Sequence, residues 1–342
     1  MTTRTDHIRG LDSIRFICAL WVVFGHFGGP FLPAWIDKGT PLGWVIHGIY
    51  ANVFPGPAAV IVFFVVSGFC IHYPHREDLR VPSLASFYIR RYVRIVIPML
   101  AAVFISSMMG YSFKLFENSI LWSLFAELVY YSIYPLLLIL RRIFSSWRPL
   151  IAVFLTLSLL MVIFIPDGLG SSTPGDYPAY GIWLNWLLGL PCWLIGCAVA
   201  EAVRTSTDKP RYGIWTLRLV ILGTAAICSV LRFHTPFTYP WTLNFFALLV
   251  GYWLLQEVRT PPQPTTVSRW LEWAGSWSYS LYLTHGLGRT VFALLLGDQM
   301  AAGNVAWLAQ TLTILALAVV FAYLFEFSAH RLARFLGRRV VS

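Results

Sequence analysis

The stretch Arg15-Phe-Ile-Cys-Ala-Leu-Trp-Val-Val-Phe-Gly-His26 places two ionisable side chains at the ends of an apolar run. Between them every residue is apolar except for the thiol of Cys18. Ionisable residues are costly inside a membrane, so they mark a functional site by default. Eleven positions at about 100° each bring His26 to within roughly 20° of Arg15 around a helix, and about 16 Å further along it. Both side chains then face one interior. The alternatives are a buried ion pair, or a snorkelling Arg15 with a packed His26.

The composition of the whole chain is typical of a membrane protein. Of 342 residues, 58% are hydrophobic and 12% are charged, whereas about 25% are charged in an ordinary soluble domain. The mean hydropathy is +0.68, and the 15 tryptophans suit the aromatic belts of a membrane protein. The five cysteines lie in apolar segments without zinc-type spacing. We therefore expect neither a metal site nor a disulfide framework.

Apolar segments bounded by charges and by Pro or Gly give about ten spans, each near the ~20 residues that a helix needs to cross a bilayer. The predicted spans are 12–28, 57–73, 92–110, 119–140, 149–165, 180–203, 214–232, 240–257, 274–296 and 303–329. Residues 44–54 are too short to cross and predict an interfacial helix or a re-entrant piece. We expect an all-α, polytopic protein whose residues 1–342 form a single membrane domain without an appended soluble domain.

The positive charges fall in alternate loops. The loops between them hold few cations, namely Lys38, Lys114 and Arg232 near a span end. The positive-inside rule then places both termini in the cytoplasm of a multi-pass cell-membrane protein, such as one of a bacterial inner membrane. The net charge of +10 follows from this topology and from anionic membrane lipids, so nucleic acid is not an expected partner. The arginine-rich segments are the N-terminus, including Arg4 and Arg9, the loops 74–91, 141–148, 204–211 and 258–269, and the C-terminal tail.

One cationic cluster could bind a ligand as well as set the topology. Arg90, Arg91 and Arg94 lie at the predicted cytoplasmic mouth of the third span, and Arg91 and Arg94 share a helix face. Arginine forks bind phosphate in a bidentate manner, and closely spaced cations gain from a polyanion between them. A ligand with several phosphates, such as coenzyme A, would fit. The alternative is that these arginines are topology anchors that bind lipid headgroups.

Glu127 is an ionisable residue in the fourth predicted span, about two turns below the outer surface. His26 lies less than one turn below the same surface, so we expect the two side chains at comparable depth. A carboxylate that is hydrogen-bonded to an imidazole fixes the imidazole tautomer and raises its basicity, which activates a hydroxyl nucleophile. Glu127 could instead be the structural partner of an arginine, or be protonated.

The ninth predicted span carries a polar stripe of Ser278, Tyr282 and His285. Such a stripe can pack helices together or line a cavity, and both interpretations stay open. Glu326 and His330, four residues apart near the end of the last span, fit a paired structural site at least as well as a catalytic one.

Taken together, these stretches resemble the acyltransferase family 3 of integral membrane proteins. Each motif is weak alone, but five of them in the expected order over nearly the whole chain are specific. The motifs are Leu11-Asp12-Ser13-Ile14-Arg15 through His26, Phe63-Phe64…Ser67-Gly68-Phe69, Arg91-x-x-Arg94 before Pro98, Trp122-Ser123-Leu124…Glu127…Tyr130…Pro135, and Ser278-Tyr-Ser-Leu-Tyr-Leu-Thr-His285. Gly68 most simply allows close helix approach.

The resemblance implies a ten-helix domain that transfers an acyl group, usually acetyl, from cytoplasmic acyl-CoA to a hydroxyl of a glycan, glycolipid or other small acceptor. Acyl-CoA is then a co-substrate rather than a bound cofactor, and polysaccharide modification by O-acetylation is the expected process. Coenzyme A phosphates would dock at Arg90, Arg91 and Arg94, with the pantetheine arm reaching past Arg15. His26, oriented by Glu127, would be the general base. Residues that could line the pocket are Ser67, His72, Trp122, Tyr130, Ser278, Tyr282 and His285.

A second hypothesis is a non-enzymatic transporter or flippase of a polar metabolite or lipid-linked sugar. In that case Arg15, His26 and Glu127 would form a proton relay or substrate site. Transporters are often built from repeats with paired interrupted helices, and the sequence shows no such symmetry.

Overall fold

The computed structural model describes residues 8–80, 83–110, 113, 120–169, 175–205, 213–260, 263–297 and 303–340, and in these residues it contains helices and no strands. A π-helical turn, Ala322–Glu326, joins the last two helices. The helices are α1 (Leu11–Phe27), α2 (Pro41–Ala51), α3 (Gly56–His72), α4 (Leu84–Met108), α5 (Trp122–Phe144), α6 (Arg148–Phe164), α7 (Gly181–Thr205), α8 (Ile214–His234), α9 (Tyr239–Arg259), α10 (Thr266–Gly275), α11 (Ser278–Leu296), α12 (Asn304–Phe321) and α13 (Phe327–Arg339).

Each predicted span overlaps one long helix: α1, α3 to α9, α11 or α12. Within the described residues, however, only six segments are both long and apolar enough to cross a membrane, so the count of about ten spans is not confirmed. Helix α4 begins at Leu84, before the predicted 92–110, because its charged first turns weaken the apolar pattern without ending the helix. The six segments are Pro41–His75, Leu84–Met108, Trp122–Phe144, Tyr177–Val203, Ile214–His234 and Asn304–Arg339.

The short segment predicted at 44–54 is helix α2, which begins three residues earlier than expected. Thr40 caps it by accepting a hydrogen bond from the backbone N–H of Gly43, and Pro41 opens the first turn. Gly43 is its one buried residue, while Leu42, Trp44 and Ile49 are exposed.

Two glycines allow α3 and α7, the central helix pair of the bundle, to pack closely. A Cβ at Gly68 of α3 would lie 1.9 Å from the carbonyl oxygen of Trp193 on α7, and a Cβ at Gly196 would lie 2.0 Å from that of Val65. Only glycine permits backbones this close, as in other tightly packed membrane helices. The prediction that Gly68 allows close helix approach is therefore confirmed.

Helix α1 is fixed at its first turn by α10. The Glu272 carboxylate accepts hydrogen bonds from the backbone N–H of Gly10 at 2.8 Å and from the hydroxyl of Ser13 at 2.7 Å. The same carboxylate accepts from the backbone N–H of Ser13 at 3.2 Å, an N–H group that a helix start leaves without an intrahelical partner. Gly275 also packs against the backbone of Asp12. The start of α1 and the α10–α11 junction therefore form one end of the bundle.

The cytoplasmic location of both termini stays a prediction. Among the cations on which it depends, Arg4 and Lys114, and most of the loop 204–211, lie outside the described residues.

Candidate active site

A cavity of about 400 Å³ lies between α1, α3, α4, α5, α11 and the α12–α13 junction. Arg15, Arg91 and Arg94 line it together, although they come from two helices far apart in the sequence. The cavity extends from the level of Asp12, where α1 begins, to Ser123 at the start of α5. The structure thus brings three of the four predicted acyl-CoA-binding arginines to one internal space.

Arg15 is held across the cavity wall rather than extended to the surface. Its Nη1 forms an ion pair with Asp12 at 2.8 Å, and its Nη2 donates to the Cys70 thiol of α3 at 3.3 Å. About a third of the side chain, 33%, remains accessible and faces the cavity. The Asp12 contact is an ion pair, as in the first alternative, and part of the side chain stays open to the cavity.

The predicted cluster of three arginines on α4 is divided by the fold. Arg91 lies over the rings of Phe87 and Tyr131, at 5.9 Å from each, and shares the cavity with Arg94. Arg90 instead packs on α13, where its Nη2 lies 3.5 Å from the carbonyl oxygen of Gly337. The adjacent residue points elsewhere because one step along a helix is a rotation of about 100°.

The predicted contact between Glu127 and His26 does not form. Glu127 Oε1 accepts hydrogen bonds from Ser67 Oγ at 2.5 Å and from the hydroxyl of Tyr131, and in the described part of the chain no contact joins it to His26. Ser67 lies one turn along α3 from Cys70, which Arg15 contacts. Glu127 therefore lies nearer to the level of Arg15 than to that of His26.

The position of α5 explains this correction. The carbonyl of Ile120, just before α5, accepts a hydrogen bond of 2.7 Å from the hydroxyl of Tyr282, a buried residue of the cavity wall. Helix α5 therefore starts inside the bundle rather than at its surface. A depth estimate that counts turns from a common surface places Glu127 too far from the arginines.

His26 lies at the other end of α1 and pairs with a second histidine. It is exposed, and its ring centroid is 5.1 Å from that of His285, with an angle of 38° between the planes. His285 is only 2% exposed, and its Nδ1 lies 2.7 Å from the carbonyl oxygen of Tyr282. This contact assigns the proton to Nδ1 and leaves Nε2 as the acceptor. The polar stripe on α11 identifies His285 as a candidate site residue, but the sequence does not show that His285 contacts His26.

Tyr282 and Phe63 separate the cavity from the histidine pair. The Tyr282 ring lies 6.1 Å from Phe63 and 6.2 Å from His285, and its hydroxyl contacts Ser123 Oγ at 2.8 Å. One aromatic layer thus lies between the arginine-lined space and the two imidazoles.

Glu326 and His330 both line the cavity, near the arginines. Glu326 is in the π-helical turn and accepts hydrogen bonds from the N–H of Ser280 at 3.1 Å and its hydroxyl at 2.5 Å. His330 Nε2 lies 3.9 Å from Glu326 Oε1. The sequence places the two residues on one helix face, but it does not join them to Arg15. Short π-helical turns of this kind often occur at functional sites.

His72 belongs to a different, closed cluster. Its two ring nitrogens contact the hydroxyl of Tyr134 at 3.0 Å and the carboxylate of Glu201 at 2.9 Å. Glu201 also accepts from Trp147 Nε1 at 2.9 Å and forms a two-point ion pair with Arg141. His72 is not on the wall of this cavity, and both of its ring nitrogens are already hydrogen-bonded within the cluster.

Trp122 and Tyr130 also lie outside this cavity. Trp122 stacks on Tyr177 with centroids 5.2 Å apart, and Tyr130 donates to the carbonyl of Trp186 at 2.9 Å. Of the seven residues predicted as possible pocket lining, the residues on the cavity wall are Ser67, Ser278 and Tyr282. Among the described residues, no three His, Cys, Asp or Glu side chains form a group that could hold a metal ion.

The apolar helices and the internal polar site define a membrane protein with a binding cavity inside its helical bundle. The chain belongs to the acyltransferase family 3, because that family's model, described as an acyltransferase domain, matches residues 8–327. This match confirms the family that the five motifs predicted and supports an acyltransferase function. The comparisons with curated proteins and with solved structures each gave no match.

Proposed function

We propose that the protein transfers an acyl group, most simply acetyl, from acyl-CoA to a hydroxyl of a glycan, glycolipid or other small acceptor. The observation that carries this proposal is the position of the arginine-lined cavity, which ends one aromatic layer away from His26 and His285. A phosphate-bearing donor suits the arginines, and a reactive thioester at the end of an extended arm would approach the imidazoles. Membership of the family supports acyl transfer and does not favour a transporter.

The cavity is suited to the pantetheine arm of the donor. Its volume of about 400 Å³ is at the lower end of the 300–1,000 Å³ of typical ligand pockets. Arg91 and Arg94 carry no carboxylate partner within the described residues, so their guanidinium groups are available to the diphosphate at the mouth. Arg15, further along the wall, is half satisfied by Asp12 and still presents donors to the arm.

Glu127 takes a different role from the one predicted. Ser67 and Tyr131 hold its Oε1 on the cavity wall. We assign it to donor binding, where its carboxylate accepts an amide N–H of the arm, instead of to the orientation of His26. A buried amide needs such an acceptor, since an unpaired donor costs about 1–3 kcal/mol.

His26 is the proposed general base. As the acceptor oxygen forms its bond to the thioester carbonyl carbon, the hydroxyl proton moves to His26, the carbon–sulfur bond breaks, and the thiolate of coenzyme A takes that proton. The products are the acyl ester and free coenzyme A. Base catalysis of this kind contributes about 10²–10⁴-fold to the rate. Because His26 is exposed at the end of α1, an acceptor can reach it from the side opposite the donor cavity.

The direct test uses the full-length protein in nanodiscs with acetyl-CoA and a panel of glycan acceptors. We expect acceptor-dependent release of free thiol, and a loss of two or more orders of magnitude in His26→Ala. His234→Ala is the matched control, because His234 is exposed at the end of α8, away from this site. Retention of more than about a third of turnover by His26→Ala would overturn the assignment of the base. Acceptor flux across the bilayer without thiol release would support the transporter.

The proposed topology has ten membrane-crossing helices and both termini in the cytoplasm of the cell membrane. Lys38 and Arg80 are exposed in loops at opposite ends of α3. A membrane-impermeant thiol reagent should label Lys38→Cys on intact cells, and Arg80→Cys only after the membrane is opened. The reverse pattern would overturn the orientation.

A further inference from the structure

Arg289 lies next to the histidine pair, on the side away from the donor cavity. Along α11 the order is Ser278 and Tyr282 on the cavity wall, then His285, then Arg289 one turn later. The guanidinium carbon of Arg289 is 5.1 Å from the centroid of the Phe27 ring, which is itself 5.7 Å from that of His285. Arg289 and the two imidazoles are therefore parts of one cluster.

The charge of Arg289 is not neutralised by the protein. In the described residues it forms no hydrogen bond and no ion pair, and its guanidinium lies over the face of Phe27. Two other arginines in these helices do have carboxylate partners, Arg141 with Glu201 at 2.8 Å and Arg218 with Glu257 at 2.6 Å. The Arg289 side chain is exposed beside the histidine pair, so its guanidinium is open to an anion that a ligand supplies.

Contacts with α12 fix the two helices that carry Phe27 and Arg289. Trp307 Nε1 donates to the carbonyl of Gly28 at 3.1 Å, and the backbone of Phe31 exchanges hydrogen bonds of 2.7 and 3.2 Å with the Asn304 amide. On α11, Gly288 packs against Ile314 of α12, where a Cβ would approach to 2.8 Å. The end of α1 and the outer half of α11 are thus both fixed to α12, and the Phe27–Arg289 contact follows from that packing.

The position of Arg289 in its helix places its guanidinium beside the candidate base. Arg289 is seven residues before the end of α11 at Leu296, about 10 Å by helical rise. Its guanidinium lies over Phe27, the last residue of α1 and the residue that follows His26.

We propose that Arg289 binds an anionic group of the acceptor, so that the protein selects hydroxyl acceptors that carry a carboxylate or a phosphate. This inference rests on the proposed function, because it takes the hydroxyl at His26 as the reacting group. Residues four apart on a helix are about 5–6 Å apart at their Cβ atoms. His285, which pairs with His26, is four residues before Arg289, so the anion and the reacting hydroxyl can belong to one small acceptor. A guanidinium fork suits both oxyanions.

The test compares two probes that differ in one group, methyl glucuronoside with a carboxylate and methyl glucoside with a hydroxymethyl. The full-length protein is placed in nanodiscs of neutral phosphatidylcholine, and probe binding is measured together with acetyl transfer. We expect wild-type protein to bind the glucuronoside about 10- to 100-fold more tightly, the range of a charge-assisted hydrogen bond. Arg289→Gln should remove the difference, and Arg289→Lys should restore part of it.

Arg232→Gln is the matched control, since Arg232 also lies over aromatic rings, those of Phe233 and Tyr239, but at the end of α8. It should keep the full preference. Equal binding of the two probes by wild-type protein, including no binding of either, would overturn the proposal. So would an undiminished preference in Arg289→Gln.

Two further experiments are needed. One distinguishes a lipid anion from an acceptor anion, and the other distinguishes failure of this inference from failure of the acyltransferase proposal. If the preference disappears in phosphatidylglycerol nanodiscs at unchanged ionic strength, Arg289 binds a lipid headgroup and the acceptor assignment is wrong. If Arg289→Gln transfers acetyl to neutral and acidic acceptors as wild type does, this inference fails while the acyltransferase proposal stands. If wild-type protein prefers the glucuronoside but releases no thiol from acetyl-CoA, the anion site is supported and the acyltransferase proposal is contradicted.

Discussion

Two regions of the protein use arginine, histidine and glutamate in opposite ways. In the closed cluster between α3, α5, α6 and α7, His72 is 0% exposed, and its partner Glu201 is bound by Arg141 and Trp147. In the cavity, Arg91 and Arg94 face open space without carboxylate partners within the described residues. A polar residue in an apolar segment thus becomes a binding group only where the fold leaves its hydrogen-bonding capacity unfilled.

The two regions should also differ energetically. Removing one partner of a buried ion pair leaves an uncompensated charge and typically costs about 3–5 kcal/mol. A cavity arginine is accessible to water before the ligand binds, so its removal leaves no such charge behind. Variants of the closed cluster should therefore change stability, and variants of the cavity should change function.

The largest expected effect is on folding, from Arg141→Leu. This change leaves the Glu201 carboxylate, whose side chain is 22% exposed, without its two-point partner. Because that pair is only partly buried, we expect a loss of about 3 kcal/mol in the free energy of unfolding. Arg94→Leu is the matched change in the cavity and should cost less than about 1 kcal/mol. Denaturation in mild detergent measures both, and equal losses would remove the distinction between the regions.

The next effect distinguishes His26, the proposed base, from His72 in the closed cluster. His26→Gln should lower kcat by two or more orders of magnitude while leaving the thermal midpoint unchanged, because His26 is exposed. His72→Gln should lower the thermal midpoint, since Gln cannot reproduce both contacts, to Tyr134 and to Glu201. Turnover and thermal unfolding are measured on the same preparations. If His72→Gln were stable and inactive, the closed cluster would be part of the catalytic site.

A smaller effect is expected on donor binding. Replacing both Arg91 and Arg94 by Gln should raise the KM for acyl-CoA by about tenfold or more, since each charge-assisted contact contributes about 1.5–3 kcal/mol. The KM for the acceptor should change little, because in this proposal only the donor carries the bound phosphates. Lys at both positions should restore part of the affinity, because the bidentate fork is lost. Normal binding of coenzyme A by the Gln variant would make these residues topology anchors.

The smallest effect is expected at Arg90. Its side chain packs on Gly337 of α13 outside the cavity, so Arg90→Gln should change the KM for acyl-CoA less than about twofold. Arg91→Gln, one residue further, is the comparison and should raise it several-fold. Steady-state kinetics on the two single variants show whether Arg90 contributes to acyl-CoA binding. Equal increases in KM would mean that all three arginines act together, as the sequence predicts.

Much of the architecture can be predicted from local patterns in the chain. The apolar segments found by hydropathy are helices in the structure, the five motifs identify the family, and Gly68 is a close-packing position, as expected. These predictions succeed because hydropathy, helical periodicity and the absence of a side chain are properties of one segment. They do not depend on how neighbouring helices are placed.

The composition of the site depends on relations between helices, and these come from packing. The recessed start of α5 moves Glu127 to the level of Arg15, and α13 takes Arg90 out of the cavity. The contact of α1 with α11 joins His26 to His285, and Glu201 on α7 encloses His72. The depth of a helix and its rotation about its axis are set by side chains distant in sequence. The same residue types therefore become a closed cluster in one place and an open site in another.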